Sequence, residues 1–245
     1  MRILIVNPNT TASMTEKAAA AARVVAGHGT EIIAATSKSG PASIEGHYDG
    51  AIAVPGLLAE IRKGEAAGAD AAIIACFDDT GLEAARALAA IPVVGLCESA
   101  AMTAALIAQR FTVVTTLERS RVLLENLVRR YGMGDRAKVR AADIPVLELE
   151  DAASGALGKL RGQIERALDE DGAEAIVLGC AGMADLVQSL QREYGVPVID
   201  GVSAAVKQAE ALVAQGLVTS KRGSYASPLP KAYTGAMEAF APARR

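Results

Sequence analysis

GADAAIIACFDD runs from Gly68 to Asp79, and GAEAIVLGCAGM runs from Gly172 to Met183. Each opens on Gly-Ala and an acidic residue, continues as a short apolar run, and reaches a cysteine. A run of this length without polar alternation, bounded by turn residues, reads as a strand buried on both faces. Such strands belong to parallel sheets with helices packed on both sides.

The repeat extends outward from these two stretches. Cys76 and Cys180 are 104 positions apart, as are Asp70 and Glu174, and Ser99-Ala100-Ala101 echoes Ser203-Ala204-Ala205 at the same offset. Ile91-Pro92-Val93-Val94 echoes Val196-Pro197-Val198-Ile199 at 105, and Arg2 to Asn7 aligns more loosely with Arg110 to Thr115. Short β-branched runs alternate with Ala-rich segments of helical length along the whole chain. Expected strands fall at 3–6, 30–34, 71–75, 93–95, 112–115, 138–141, 175–178 and 198–199. Expected helices fall at 13–26, 48–67, 82–89, 100–109, 120–131, 156–171, 184–194 and 204–215. The fold class is therefore α/β, with two similar three-layer domains and mostly parallel sheets expected; if a pseudo-twofold axis relates them, their strand ends face one active-site cleft between them. The helix at Ser99 precedes the first strand of the second half, so its counterpart near Ser203 is expected to return to the first half. The domains are then 1–98 plus 204–245, and 99–203. The tail from Lys221 reads as an extended cover or linker whose last residues fray.

Composition limits what such a chain does. Its 245 residues suffice for a large core without staples. Lys plus Arg number 25 against 28 Asp plus Glu, with no long block of one sign, and aromatics make up 3% with no Trp. Neither a basic stripe nor stacking platforms for nucleic acid are present, so no nucleic-acid partner is expected. Met1-Arg2 leads into only four apolar residues before Asn7-Pro8-Asn9, too few for a signal peptide or a span, so no membrane partner and a cytoplasmic location are expected. Three scattered cysteines suit a reducing compartment, and two histidines supply no metal site.

In a parallel sheet, ligands sit beyond the carboxyl ends of strands. Cys76 and Cys180 both occupy that position. Two thiols facing one cleft suit proton exchange at a weakly acidic carbon: one takes a proton from one face and the other returns one to the opposite face. Helix N-termini and backbone N–H groups lower a thiol pKa and hold the charge that develops on an adjacent carbonyl. No metal or redox cofactor is required. The residues alone leave open core packing of the cysteines, and a hydrolase using one thiol with His28 or His47.

The segments VNPNTTASMT from Val6, SGPASIEGHYDG from Ser39, ACFDDTGLEAAR from Ala75, PVVGLCESA from Pro92 and VTTLERS from Val114 carry a family likeness. So do IPVLELE from Ile144, DGAEAIVLGCAGM from Asp171, PVIDGVSAAVK from Pro197 and TSKRGSYASPLPKAYTG from Thr219. The chain resembles the aspartate/glutamate/hydantoin racemase superfamily, and within it the hydantoin racemases and the similar allantoin racemases. The resemblance implies two α/β domains around a shared cleft, cofactor-independent epimerisation by a cysteine pair, and homo-oligomers, and it places the catalytic cysteines at Cys76 and Cys180. The implied substrate is a 5-monosubstituted hydantoin, with allantoin as the alternative. Decarboxylation by one cysteine and a non-catalytic binding module for small cyclic amides are the more distant ones. Asp78 departs from the pattern, since relatives often carry Gly-Asp-Pro where this chain has Asp78-Asp79-Thr80. A carboxylate there would raise the Cys76 pKa if it faces the site, and is a solvated turn residue if it does not.

Substrate contacts are expected from Asn9, with Asn7 behind it, from Thr115 and Thr116 at the equivalent strand end, and from Asp79, Thr80, Gly81, Gly179, Ala181 and Gly182 beside the cysteines. Thr80-x-x-Glu83 and Ser13-x-x-Glu16 have the form of capping boxes. Pocket size is expected to depend on Phe77, Met183 and Val202. Cys97 is expected to pack in the core, Ser39-Gly40-Pro41 to form a rim loop, and His28 to sit in a turn.

Overall fold

The structure, a computed structural model, describes residues 1–151 and 153–242. Among the described residues, eight strands alternate with eight α-helices: β1 Arg2–Asn7, α1 Ala12–Val25, β2 Glu31–Thr36, α2 His47–Ala66, β3 Ala71–Ile74, α3 Leu82–Leu88, β4 Val93–Gly95, α4 Leu96–Ile107, β5 Phe111–Thr115, α5 Glu118–Arg130, β6 Ala137–Ala141, α6 Ala156–Asp171, β7 Ala175–Leu178, α7 Val187–Tyr194, β8 Val198–Asp200 and α8 Gly201–Ala214. They form two four-stranded sheets, ordered β2-β1-β3-β4 and β6-β5-β7-β8, and every pairing is parallel. Equivalent strands of the internal repeat hold equivalent places: Ile74 lies opposite Gly95 in the first sheet as Leu178 lies opposite Asp200 in the second.

The central strands are buried along their length, which is why their sequences do not alternate. On the outer face of the first sheet, Leu4, Val6, Ala72 and Ile74 meet Leu57 and Ile61 of α2 and Leu82 and Ala85 of α3. On the outer face of the second, Val114, Ile176 and Leu178 meet Leu160 and Ile164 of α6 and Leu190 of α7. The inner faces share one core. Ile3, Ile5 and Ile73 of the first sheet and Phe111, Val113 and Val177 of the second enclose Ala100, Ala101 and Ala104 of α4 and Ala204, Ala205 and Ala209 of α8. The alanine-rich composition is explained here, because small side chains let α4 and α8 pack closely between two sheets. At their starts, a Cβ on Gly201 would stand 2.6 Å from that of Leu96.

α8 packs against α1, β3 and β4, while α4 packs against β7 and β8. Beyond α8 the chain stays beside the first sheet: Thr219 donates to the carbonyls of Ala90 (2.9 Å) and Ile91 (2.7 Å), and Lys221 to that of Arg86 (2.5 Å). Residues 243–245, where fraying is expected, lie outside the described residues. Among the described residues, no helix is long and apolar enough to cross a membrane.

Three helix starts, those of α4, α7 and α8, differ from the sequence reading by three or more residues. α4 and α8 begin directly at the ends of β4 and β8, several residues earlier than expected, and both capping boxes are absent. Ser13 lies inside α1, whose N-cap is Thr11, and the N-cap of α3 is Gly81 in the left-handed region (φ 70°). Thr80 donates its hydroxyl to Asp78 instead.

Candidate active site

One pocket with about 490 Å³ of empty space lies at the carboxyl ends of the central strands of both sheets, lined by Cys76 and Cys180 together. Asn9, Ala75 and Asp78 line it from the first half, and Thr115, Thr116, Gly179 and Ala181 from the second. Both cysteines are half-buried, whereas Cys97 is fully buried in the shared core. No histidine lines the pocket: His28 sits in the turn after α1, and His47 starts α2. A Cys-His hydrolase site is therefore not assembled.

Asn7 and Asn9 divide their work as a turn requires. Asn7 is buried, with its amide donating to Asn9 Oδ1 (2.8 Å), Thr11 O (3.1 Å) and Thr15 Oγ1 (3.0 Å). Asn9 Oδ1 also accepts from the N–H of Thr11 (2.9 Å). With its oxygen so engaged, Asn9 offers the pocket its Nδ2 donors, which otherwise meet only Met14 Sδ at 3.5 Å. Thr115 donates its hydroxyl to the carbonyl of Gly179 (3.2 Å), tying the ends of β5 and β7 together. Gly179 has no room for a side chain there, since a Cβ would stand 2.9 Å from the Cα of Thr115.

The turn after β3 separates two adjacent carboxylates. Asp78 faces the pocket and accepts the Cys76 thiol proton at 2.8 Å, and the Thr80 hydroxyl donates to the same oxygen with its own oxygen 3.6 Å from Cys76 Sγ. Burial pushes the Cys76 thiol well above its ordinary pKa, and the charge of Asp78 adds to the effect. This is the direction expected of an Asp78 that faces the site, and the helix N-terminus that could lower a thiol pKa starts six residues beyond the sulfur.

Asp79 turns the other way, in the left-handed region at φ 50°. Its carboxylate accepts the N–H of Cys97 and of Glu98 at 3.0 Å each and the Tyr131 hydroxyl at 2.7 Å. These are the free N–H groups of the first turn of α4, so Asp79 caps a helix to which it does not belong. The repeat shows why. α8 is capped by its own Asp200, which accepts from the N–H of Ser203 at 2.8 Å, but the equivalent N-cap of α4 is Gly95. The Asp79 carboxylate fills the space a side chain at Gly95 would need. Asp79 is thus turned away from the pocket, as is Gly81, which packs near Leu57 and Val54, and the hydroxyl of Thr80 is spent on Asp78. Asn7 and Gly182 also lie outside the lining, although a Cβ on Gly182 would stand 3.7 Å from Cys180 Sγ.

Burial pushes the Asp79 carboxyl up to about 7, against its three hydrogen bonds. Since that lies above the unfolded value of about 4, the folded state binds the proton more tightly. The resulting stabilisation is complete below the unfolded value and is lost as pH rises through about 7. We expect the stability advantage of the parent chain over Asp79→Asn, measured by urea unfolding, to shrink between pH 5 and pH 8. A difference that stays constant with pH contradicts this account.

The second cysteine follows β7 in extended backbone (φ −152°, ψ 139°) and precedes a 3-10 turn at Ala181–Leu186, whose Met183 N–H bonds back to the Cys180 carbonyl at 3.1 Å. Met183 and Val202, expected to set pocket size, are fully buried in the cores, and of the three named only Phe77 lines the pocket. The remaining wall comes from rim segments that sequence reasoning did not single out: Met14, Ile44, Ser120, Leu124 and Val146. Four of the five lie within segments that carry the family likeness, which was the available signal. Glu98 does not reach the cleft, because it pairs with Arg86, whose guanidinium lies 5.9 Å over the Tyr225 ring of the tail.

The site thus lies between two equivalent parallel sheets, with a cysteine just beyond the end of β3 in one and of β7 in the other. The Asp/Glu/Hydantoin racemase family model matches residues 3–209, and the chain belongs to that family and is an enzyme of the racemase class. It is 54% identical over 236 residues to a hydantoin racemase of Rhizobium meliloti, covering 96% of this chain and 98% of the relative. It is 48% identical to a hydantoin racemase of Pseudomonas sp. (strain NS671), covering 98% and 97%. Among solved structures it is similar to an allantoin racemase from Klebsiella pneumoniae, with a TM-score of 0.95 and 51% identity over 99% of each chain.

Proposed function

We propose that the enzyme racemises 5-monosubstituted hydantoins by proton transfer between two cysteines, without a cofactor. The observation that carries this reading is the shared pocket of Cys76 and Cys180 at matching strand ends. One thiolate takes the C5 proton, the electron pair moves into the neighbouring C4 carbonyl, and the other thiol delivers a proton to the opposite face. Cys76, held as the thiol beside Asp78, serves as the acid for one enantiomer with Cys180 as its base, and the roles swap for the other. The Nδ2 donors of Asn9 and the backbone N–H at Ala181 stabilise the enolate oxygen, and Thr116 contacts the ring.

The C5 substituent lies against Met14, Ile44, Phe77, Leu124 and Val146, a wall that suits an apolar group. Allantoin, with its polar ureido group, is the second reading, favoured by the likeness to the allantoin racemase fold and by Ser120 and Asp78 at the pocket edge. Loss of optical rotation from single enantiomers of benzyl-, isobutyl- and methylthioethyl-hydantoin and of allantoin, above the buffer rate, separates the two. We expect the apolar hydantoins to turn over at least about tenfold more efficiently, the worth of about 1.4 kcal/mol of matched apolar contact. Faster racemisation of allantoin transfers the assignment to the second reading.

The division into lobes 1–98 with 204–245, and 99–203, related by a pseudo-twofold axis, is proposed on the packing of α8 and the tail against the first sheet. Assembly into homo-oligomers and a cytoplasmic location complete the proposal.

A further inference from the structure

Deepening the two-thiol reading and resting on it, we propose that Asp78 is a proton relay that reloads Cys76 from solvent between turnovers. When Cys180 has taken the C5 proton and Cys76 has delivered one, product leaves behind a thiolate at Cys76 and a thiol at Cys180. A second turnover in the same direction needs a proton placed on Cys76 and one removed from Cys180. Substrate does neither, so solvent must.

The geometry provides a route at Cys76. Asp78 Oδ1 is 2.8 Å from Cys76 Sγ, and the Asp78 side chain lines two cavities. One is the cysteine pocket. The other is an open cleft of about 820 Å³ on the far side of the turn, bordered by His47, Gly50, Thr80, Leu123, Asn126 and Arg130. Asp78 therefore forms a wall between the reacting sulfur and water that bound substrate does not displace. Thr80, donating to the same oxygen, holds the carboxylate in place.

The transfer balances in two steps. A hydronium ion or buffer acid in the open cleft gives its proton to the Asp78 carboxylate, forming an O–H bond. That O–H bond then breaks as the proton passes to the Cys76 thiolate, forming S–H and restoring the carboxylate. Burial and the adjacent negative charge disfavour the thiolate, so the second step runs toward the thiol. Cys180 loses its proton to water in the emptied pocket.

Asp78→Asn keeps the size and the acceptor oxygen but cannot carry a proton. Reloading follows product release, so it governs kcat and not kcat/KM. With the full-length enzyme and one hydantoin enantiomer, we expect kcat to fall by about tenfold to a hundredfold, with kcat/KM reduced markedly less. Imidazolium buffer, small enough for the open cleft, is expected to restore kcat in proportion to its concentration. Equal losses in kcat and kcat/KM without buffer rescue overturn the relay and leave Asp78 a positioning residue, and unchanged kinetics overturn it outright. If the parent enzyme racemises no hydantoin and no allantoin, the underlying reading fails and the relay with it. If the parent is active and only the rescue pattern is missing, the relay alone fails.

Discussion

Cys76→Ser and Cys180→Ser are each expected to lower hydantoin racemisation by at least about 10³-fold, because a serine hydroxyl neither ionises near neutral pH nor replaces a thiol as the matching acid. The two residues act as a unit, so the double variant should be scarcely worse than either single one. A sharper outcome separates the faces of the ring. Each single variant keeps one competent thiol and should still exchange C5–H for deuterium, with retained configuration, in only one enantiomer. The enantiomer exchanged by Cys76→Ser identifies the face served by Cys180. The measurement combines polarimetry with proton NMR in D₂O. A single variant that keeps most of its turnover defeats the two-thiol scheme, and exchange of both enantiomers by one variant defeats the assignment of one thiol to each face.

Gly95→Ala should be strongly destabilising for a single-methyl change near the site. The new Cβ would lie 2.5 Å from Asp79 Cγ and Oδ1, a separation that real Cβ atoms do not adopt. Relief requires the Asp79 carboxylate to leave the N–H groups of Cys97 and Glu98 and the Tyr131 hydroxyl, which joins overpacking to loss of a helix cap. We expect a loss of about 3 kcal/mol from overpacking and the lost cap together. For a chain of this size that lowers Tm by roughly 6–12 °C. The pair should be strongly non-additive: with Asp79→Ala already in place the slot is empty, and adding Gly95→Ala should cost about 1 kcal/mol or less. Thermal unfolding of both single variants and the double variant tests this, and additive losses refute the shared slot. Because Asp78 and Cys76 share the turn that Asp79 anchors, the Gly95 variant should also lose activity in the range where it remains folded.

Much of the architecture was written in local pattern. Unalternating apolar runs mark strands covered on both faces, and the offset of about a hundred residues between copies shows that one βα arrangement is used twice. The position of each cysteine just past a central strand also followed, because a strand end is defined by where the apolar run stops. The pairing of Asp79 with α4 was not legible. Its partners are 18 to 52 residues away, and the cue was an absence, the missing side chain at Gly95 where the second copy has Asp200. Thr80-x-x-Glu83 misled for a related reason. A capping box is a local preference of modest strength, and the carboxylate of Asp78 competes for the same hydroxyl.

By itself, the sequence determined the α/β class, the doubled strand-and-helix order and the two sulfurs worth testing, since these rest on short-range periodicity and on residues repeated at a constant spacing, while the family likeness rests on the particular segments that carry it. Tertiary structure alone decided which of two neighbouring carboxylates meets Cys76 and which one caps a distant helix, and which rim side chains wall the pocket. Those outcomes depend on how two sheets and the alanine-rich helices between them fit together, and side-chain direction at a turn is set by the space left by residues far away in the chain.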